Sequence, residues 1–261
     1  MFSGRLKWPY PPNRLSHLLE EKRARGAAVL DLTESNPTRA GLHYPAEAIA
    51  AALHDPAVSV YEPAPRGLPE ARAAIASSHA RRGLLAEPDR IVLTAGSSEA
   101  YSHLFKLLAD PGDVVLVPRP SYPLFDYLAA LEGLRVAGYP LHYDDRWSID
   151  FEALERACAG AGGPAPRAIV LVNPNNPTGS GLRETERARL EEMAARAGAA
   201  IISDEVFLDY LDPRSAAGPG WRSGDRIVSL LAAKAPPPPG AARAGATPAG
   251  AAAAGAASGR N

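Results

Sequence analysis

The chain has 261 residues, a hydrophobic fraction of 46%, a charged fraction of 22% and a formal net charge of −1. That length and apolar content support a globular fold with a sizeable core, and the near-neutral balance supplies no global field for nucleic acid or an anionic membrane. No apolar run reaches the roughly 20 residues that span a bilayer, the N-terminus lacks the apolar run of a signal peptide, and the single cysteine, Cys158, excludes an internal disulfide framework or a cysteine-cluster metal site. A soluble cytoplasmic protein is expected, with no metal, no nucleic acid and no membrane among its partners.

Residues 1–45 are irregular and proline-marked, with a helical pattern at Leu15–Arg25, an apolar run at Ala27–Leu32 and a turn-rich stretch after it. Helical spacing returns at Pro45–Leu53 and at Leu68–Arg82, where Gly83 ends it. A regular alternation follows. Strands are predicted at Arg90–Thr94, Val114–Val117, Arg135–Tyr139, Ala168–Val172, Ala200–Ser203 and Arg226–Leu230. Helices are predicted at Ser97–Leu108, Tyr122–Leu131, Phe151–Ala159 and Glu184–Ala197. Short β-branched runs without polar alternation are strands buried on both faces, and their alternation with helices predicts a mostly parallel α/β sheet. Residues 231–261 are mostly Ala, Pro and Gly, and Leu231 is their one large apolar side chain. Such a segment cannot bury enough apolar surface to offset its ordering entropy, so a disordered tail is expected.

In a parallel α/β sheet ligands collect at the carboxyl ends of the strands. Four loops there carry candidate chemistry. Thr94-Ala-Gly-Ser-Ser-Glu-Ala is a small-residue turn entering a helix; it presents Ser97, Ser98 and free backbone N–H groups to a phosphate, or is a plain helix cap. Pro118-Arg-Pro-Ser-Tyr-Pro places Tyr122 where it can stack on a flat ring, or sit as an ordinary tyrosine. Asn173-Pro-Asn-Asn-Pro-Thr-Gly is a rigid turn offering the Asn176 amide to a ligand oxygen, or only a turn. Ser203-Asp-Glu ends a buried strand with Asp204, a carboxylate that needs a partner such as a protonated ring nitrogen, a helix cap or a structural ion pair. At about 4 Å and an effective dielectric near 20, a ring-nitrogen pair attracts by about 4 kcal/mol before desolvation.

Taken in order, these segments resemble the aminotransferase class I/II family of fold-type-I pyridoxal-phosphate-dependent enzymes. The resemblance runs from about Glu34 to about Leu230 and includes Tyr61-Glu-Pro-Ala-Pro-Arg-Gly-Leu-Pro-Glu, Pro120-Ser-Tyr-Pro, Asn176-Pro-Thr-Gly and Ser203-Asp-Glu-Val-Phe. It implies a three-layer α/β/α large domain with a mostly parallel sheet, here incomplete, and pyridoxal 5′-phosphate as cofactor. Ser97 and Ser98 would hold its phosphate, Tyr122 would stack on its ring, Asn176 would bond the ring hydroxyl oxygen, and Asp204 would keep the ring nitrogen protonated. Tyr61 would reach the phosphate of a neighbouring subunit's cofactor in a homodimer. Amino acids and 2-oxo acids are the implied substrates, with a β-lyase, a synthase or a non-catalytic fragment as alternatives on the same scaffold.

Several positions depart from the family. Phe207 stands where many members have a tyrosine. The chain has four lysines, Lys7, Lys22, Lys106 and Lys234, and only Lys234 follows the strand after which the family's Schiff-base lysine belongs. Its neighbours Ala232 and Ala233 replace the usual serine or threonine, and Arg243 stands one place late. The division expected is residues 1–45 as an N-terminal segment of the small domain, 46–230 as the cofactor-binding large domain, and 231–261 as tail, with the small C-terminal domain missing. A shift of reading frame near Leu230 in a GC-rich gene accounts for the tail's composition; a genuine short protein is the rival. Without the family's substrate-gripping arginine, the chain as it stands is expected to be inactive.

Overall fold

A computed structural model describes residues 3–6, 14–30, 36–39, 41–81, 86–160, 163–210 and 227–230. Six strands form one sheet: β1 Val114–Arg119, β2 Arg135–Asp144, β3 Arg146–Ile149, β4 Ala168–Val172, β5 Ala200–Asp204 and β6 Ile227–Leu230. Their order is β3-β2-β1-β4-β5-β6, parallel throughout except for β3, which pairs antiparallel with β2.

The strands carry apolar residues at consecutive positions because both faces are covered. On one face Val115 and Val117 of β1, Val170 and Val172 of β4 and Ile202 of β5 pack against Tyr101 and Phe105 of α4 (Ser97–Leu108) and Phe125 and Ala129 of α5 (Leu124–Leu131). On the other, Leu116, Tyr139, Ile169, Leu171 and Ile201 meet Phe151, Leu154 and Cys158 of α6 (Phe151–Cys158) and Leu190, Met193 and Ala194 of α7 (Glu184–Ala197). Odd and even positions of a strand point to opposite sides, so each strand feeds both cores. This is the three-layer α/β/α architecture. The lone cysteine is part of that packing, and burial pushes its thiol up from its ordinary value.

Local chemistry fixes the helix ends. Asp150 caps α6 by accepting from the Ala153 N–H at 2.9 Å. Glu186 of α7, itself buried, accepts from the Arg183 N–H (3.1 Å), the Arg183 Nε (3.0 Å) and the Ile149 N–H (3.3 Å), which pins β3 to that helix. Gly198 closes α7 at φ 67°, the left-handed position that favours glycine.

Three expectations are corrected. Arg90–Thr94 is not a strand: Pro88–Arg90 forms a 3-10 turn, and Ile91–Thr94 runs on without a ladder partner among the described residues. The Leu93 N–H bonds instead to the Arg66 carbonyl at 3.0 Å, and Leu93 packs so closely on Gly67 (φ +91°) that a Cβ there would lie 2.5 Å from it. An apolar run becomes a strand only where a neighbour offers hydrogen bonds. Next, β2 does not end at Tyr139 but continues to Asp144 and turns through Asp145 (φ 54°) into β3. That hairpin is an edge with exposed and half-buried side chains, so its apolar pattern is weak. Finally, the helix predicted from Tyr122 begins at Leu124, since Pro123 takes the capping position.

Further N-terminal, α1 (Arg14–Ala24) and α2 (Ala46–Leu53) bury no residue, whereas α3 (Pro69–Ala80) buries Arg72. The Arg72 guanidinium bonds the Gly67 carbonyl (3.2 Å) and the Pro88 carbonyl (2.7 Å), tying the start of α3 to the segment before α4. No helix among the described residues is long and apolar enough to cross a membrane. The expected disordered tail, residues 231–261, lies outside the described residues.

Candidate functional site

The chain leaves β1 toward β2 on one side and later returns to β4 on the other, so the strand order reverses between β1 and β4. At such a switch point the two outgoing loops diverge and open a crevice at the carboxyl ends of the strands. The β1–β4 ladder is correspondingly short, covering Val115↔Ala168 and Leu116↔Ile169.

The loops after β1 and β4 are tied across this crevice. Ser121 Oγ donates to Asn175 Oδ1 (3.2 Å), while Asn175 Nδ2 donates to the Pro120 carbonyl (3.2 Å) and to Thr178 Oγ1 (2.9 Å). Asn173 Oδ1 accepts from the Leu182 N–H at 2.9 Å. Both asparagines are buried and committed to holding the turn. Asn176, between them and solvent, is half-buried, and its side chain makes no hydrogen bond among the described residues. The turn thus consumes two amides and presents the third.

Asp204 ends β5, half-buried. Its Oδ2 accepts from the Tyr101 hydroxyl at 3.0 Å and its Oδ1 from the Val206 N–H at 3.2 Å. Burial raises its pKa above the ordinary carboxylate value, and these two hydrogen bonds oppose that shift. A cation placed against it would favour the charged form further. Tyr101 sits on the buried face of α4, one turn in from Ser97 and Ser98. Those two serines are exposed at the helix start; Gly96 makes no side-chain cap, and the first helical bond runs from Ala100 N–H to the Gly96 carbonyl. The N–H groups of Ser97, Ser98 and Glu99 therefore lie outside the helical ladder, at the positive end of the dipole. Glu99 folds back to the Ala95 N–H (2.6 Å).

Tyr122 is 44% exposed and meets Phe125 edge-on, with ring centroids 6.2 Å apart. Phe125 in turn packs T-shaped on Tyr101 at 5.3 Å. Through Tyr122–Phe125–Tyr101–Asp204, the β1 loop, α4 and the end of β5 form one contact chain. Tyr61 is 90% exposed, in the segment after the 3-10 turn Pro56–Ser59, and touches none of these groups. Phe207 packs on Tyr210 at 6.2 Å and brings no hydroxyl. Lys106 is bound to Ser102 and Glu132 far along α4, Lys22 lies on exposed α1, and Lys234 and Lys7 lie outside the described residues. A small cavity lined by Tyr139, Trp147, Ser180 and Glu186 lies on the α6–α7 side of the sheet. No metal-binding cluster of His, Cys, Asp and Glu is found among the described residues.

The sequence profile described as "Aminotransferase class I and II" matches residues 27–227. The chain belongs to that family. It is 37% identical over 163 residues to nicotianamine aminotransferase 1 of Oryza sativa subsp. japonica, covering 62% of this chain and 32% of that protein. It is 38% identical over 120 residues to an S-alkyl-thiohydroximate lyase of Arabidopsis thaliana, covering 46% and 25%. Among solved structures, N-succinyldiaminopimelate aminotransferase from Mycobacterium tuberculosis superimposes with a TM-score of 0.69 at 27% identity, over 88% of this chain and 59% of that one. The chain thus spans about a third or less of these curated relatives and somewhat over half of the solved structure.

Pyridoxal 5′-phosphate is the cofactor of this aminotransferase family. The donor set in the crevice fits it: free N–H groups and two hydroxyls for a phosphate, an amide without a partner for a ring oxygen, a tyrosine for the ring face, and a half-buried carboxylate for a ring nitrogen. Ser97, Ser98, Tyr122, Asn176 and Asp204 are the candidates the sequence offers. Tyr101 and Asn175, which bond Asp204 and the Pro120–Ser121 loop, are not among them. The available signal for Tyr101 was a hydroxyl-bearing ring four residues before Phe105 on an apolar helix face, a place where a buried O–H needs a partner.

Proposed function

We propose that the chain is the cofactor-binding portion of a pyridoxal-phosphate-dependent aminotransferase that moves an amino group between an amino acid and a 2-oxo acid. What supports this reading is that Asp204 is joined to α4 through Tyr101 and to Tyr122 through Phe125, and that Asn175 ties the loop carrying Asn176 to the loop carrying Tyr122. The cofactor supplies a ring that accepts the electron pair left when the substrate Cα loses its proton. Asp204 holds a proton on the ring nitrogen. Asn176 donates to the ring oxygen, Ser97 and Ser98 bind the phosphate, and Tyr122 covers the ring against water. Lys234 is the proposed Schiff-base lysine, and Tyr61, fully available at the surface, reaches a second subunit's cofactor in a cytoplasmic homodimer.

Residues 46–230 form the cofactor domain in this reading, and residues 1–45, whose α1 buries nothing, pack with the small domain. The same residues would serve a lyase or synthase; amino-group transfer is preferred because the rice relative and the mycobacterial structure are both named for it.

The test is reconstitution of the purified chain with pyridoxal phosphate. The expected result is cofactor retained through gel filtration, with a visible absorbance band that borohydride abolishes. Lys234→Ala should remove the band and leave the retention. A chain that retains no cofactor is a non-catalytic fragment, and the proposal fails.

A further inference from the structure

One polar group in the crevice wall is deeper than any the cofactor would touch. Tyr101 is only 2% exposed. Its ring is held between Phe105 (5.6 Å, tilted) and Phe125 (5.3 Å, T-shaped), a setting that a phenylalanine would fill at lower desolvation cost. The hydroxyl leaves this apolar cluster in one direction, toward Asp204 Oδ2 at 3.0 Å. The other carboxylate oxygen is fixed by the Val206 N–H at 3.2 Å. With one donor on each oxygen, the carboxylate plane is held against rotation, and each oxygen keeps a lone pair for a further contact.

We infer that Tyr101 is a positioning residue, which fixes the Asp204 carboxylate in its plane and keeps it charged for the ring nitrogen of the cofactor. The inference rests on the cofactor reading above. Burial works against the charge on Asp204, and the phenol's hydrogen bond works for it. The phenol itself stays a donor: burial first, then the charge of Asp204, hold its proton well above the ordinary tyrosine range. No other charged group competes for the role among the described residues around Asp204. Glu205 on the same strand end bonds Ser203 Oγ (2.9 Å), β4 brings Val172 and Asn173, α5 brings Phe125, and β6 sets Ser229 and Leu230 in register, neither titratable.

The experiment follows the Asp204 carboxyl carbon by NMR in the full chain without cofactor, the signal being identified by its loss in Asp204→Asn. Tyr101→Phe keeps the ring in the same cluster and removes the donor, so the carboxyl midpoint should rise by about one pH unit. Replacing Tyr101 with 3-fluorotyrosine keeps the shape and strengthens the donor, so the midpoint should fall. With pyridoxal phosphate added, the acidic limb of its affinity should move with the midpoint, upward in Tyr101→Phe by about tenfold in affinity near the limb. A purely structural tyrosine would give no opposed shifts. A midpoint that stays put, or that moves the same way in both substitutions, overturns the inference. A parent chain that binds no pyridoxal phosphate at any pH overturns the cofactor reading instead, and the carboxyl titration still decides whether Tyr101 positions Asp204.

Discussion

Tyr139→Phe tests how the sheet tolerates its own opening at the switch point. Tyr139 of β2 is fully buried, and its hydroxyl donates to the Val170 carbonyl of β4 at 2.8 Å, one residue past the last β1–β4 pair, Leu116↔Ile169. The substitution leaves the ring in place and removes one hydrogen bond, worth about 0.5–1.5 kcal/mol net. It also leaves a buried carbonyl short of that partner, a cost of about 1–3 kcal/mol, which the relief of burying a phenol oxygen partly offsets. The expected loss is about 1–2 kcal/mol, a large part of a domain stability of about 5–15 kcal/mol. Urea unfolding followed by far-UV circular dichroism measures it, with Tyr143→Phe as the control. Tyr143 is 66% exposed on the β2–β3 hairpin, and its loss of a hydroxyl should stay within about 0.5 kcal/mol. The pH dependence gives a second reading. Burial pushes the Tyr139 phenol above its ordinary value, so its contribution is fully present below about pH 10 and is lost as pH rises through the folded-state value. The parent should lose stability more steeply than Tyr139→Phe in alkali. A variant within about 0.3 kcal/mol of the parent at neutral pH would refute the view that this hydroxyl closes the gap between β1 and β4.

Two further substitutions separate holding the turn from presenting a ligand group. Asn175→Ala strips three hydrogen bonds from a buried amide and should cost about 2–3 kcal/mol by thermal unfolding, whereas Asn176→Ala should leave the unfolding unchanged and weaken only pyridoxal-phosphate retention. Equal unfolding for the two would contradict the division of labour among the asparagines. Asp150→Ala removes the α6 cap and should cost about 1 kcal/mol at pH 7. The Ala153 N–H first, and His142 at 2.8 Å second, hold the Asp150 carboxyl below its ordinary value. Its contribution is therefore present above about pH 4 and is lost as pH falls through the folded-state value, so parent and variant should converge in acid; a gap that persists there would mean the cap acts without its charge.

Much of this protein is written locally. The unbroken apolar run Ala168–Val172 announces a strand covered on both faces, and the alternation with Phe151–Cys158 and Glu184–Ala197 makes the sheet parallel. Once strands are placed, their carboxyl ends are known, and Tyr122, Asn176 and Asp204 stand there; Ser97 and Ser98 instead open α4 after a segment that joins no ladder among the described residues. These features depend on neighbours within one turn or one strand, which is why spacing reveals them. Other features depend on residues far apart in the chain. Ile91–Thr94 has strand composition but no neighbouring edge, and Leu141–Asp144 finds one only by folding back on Arg146–Ile149. Which of Asn173, Asn175 and Asn176 keeps an unbonded amide is decided by Ser121, Pro120 and Leu182, groups on other segments that consume the first two. Tyr101 and Asp204 lie 103 positions apart, and a hydrogen bond of that range exists only after α4 has packed across the sheet onto the end of β5. A buried hydroxyl announces in the sequence that it needs a partner; only the packed sheet names the carboxylate that meets it.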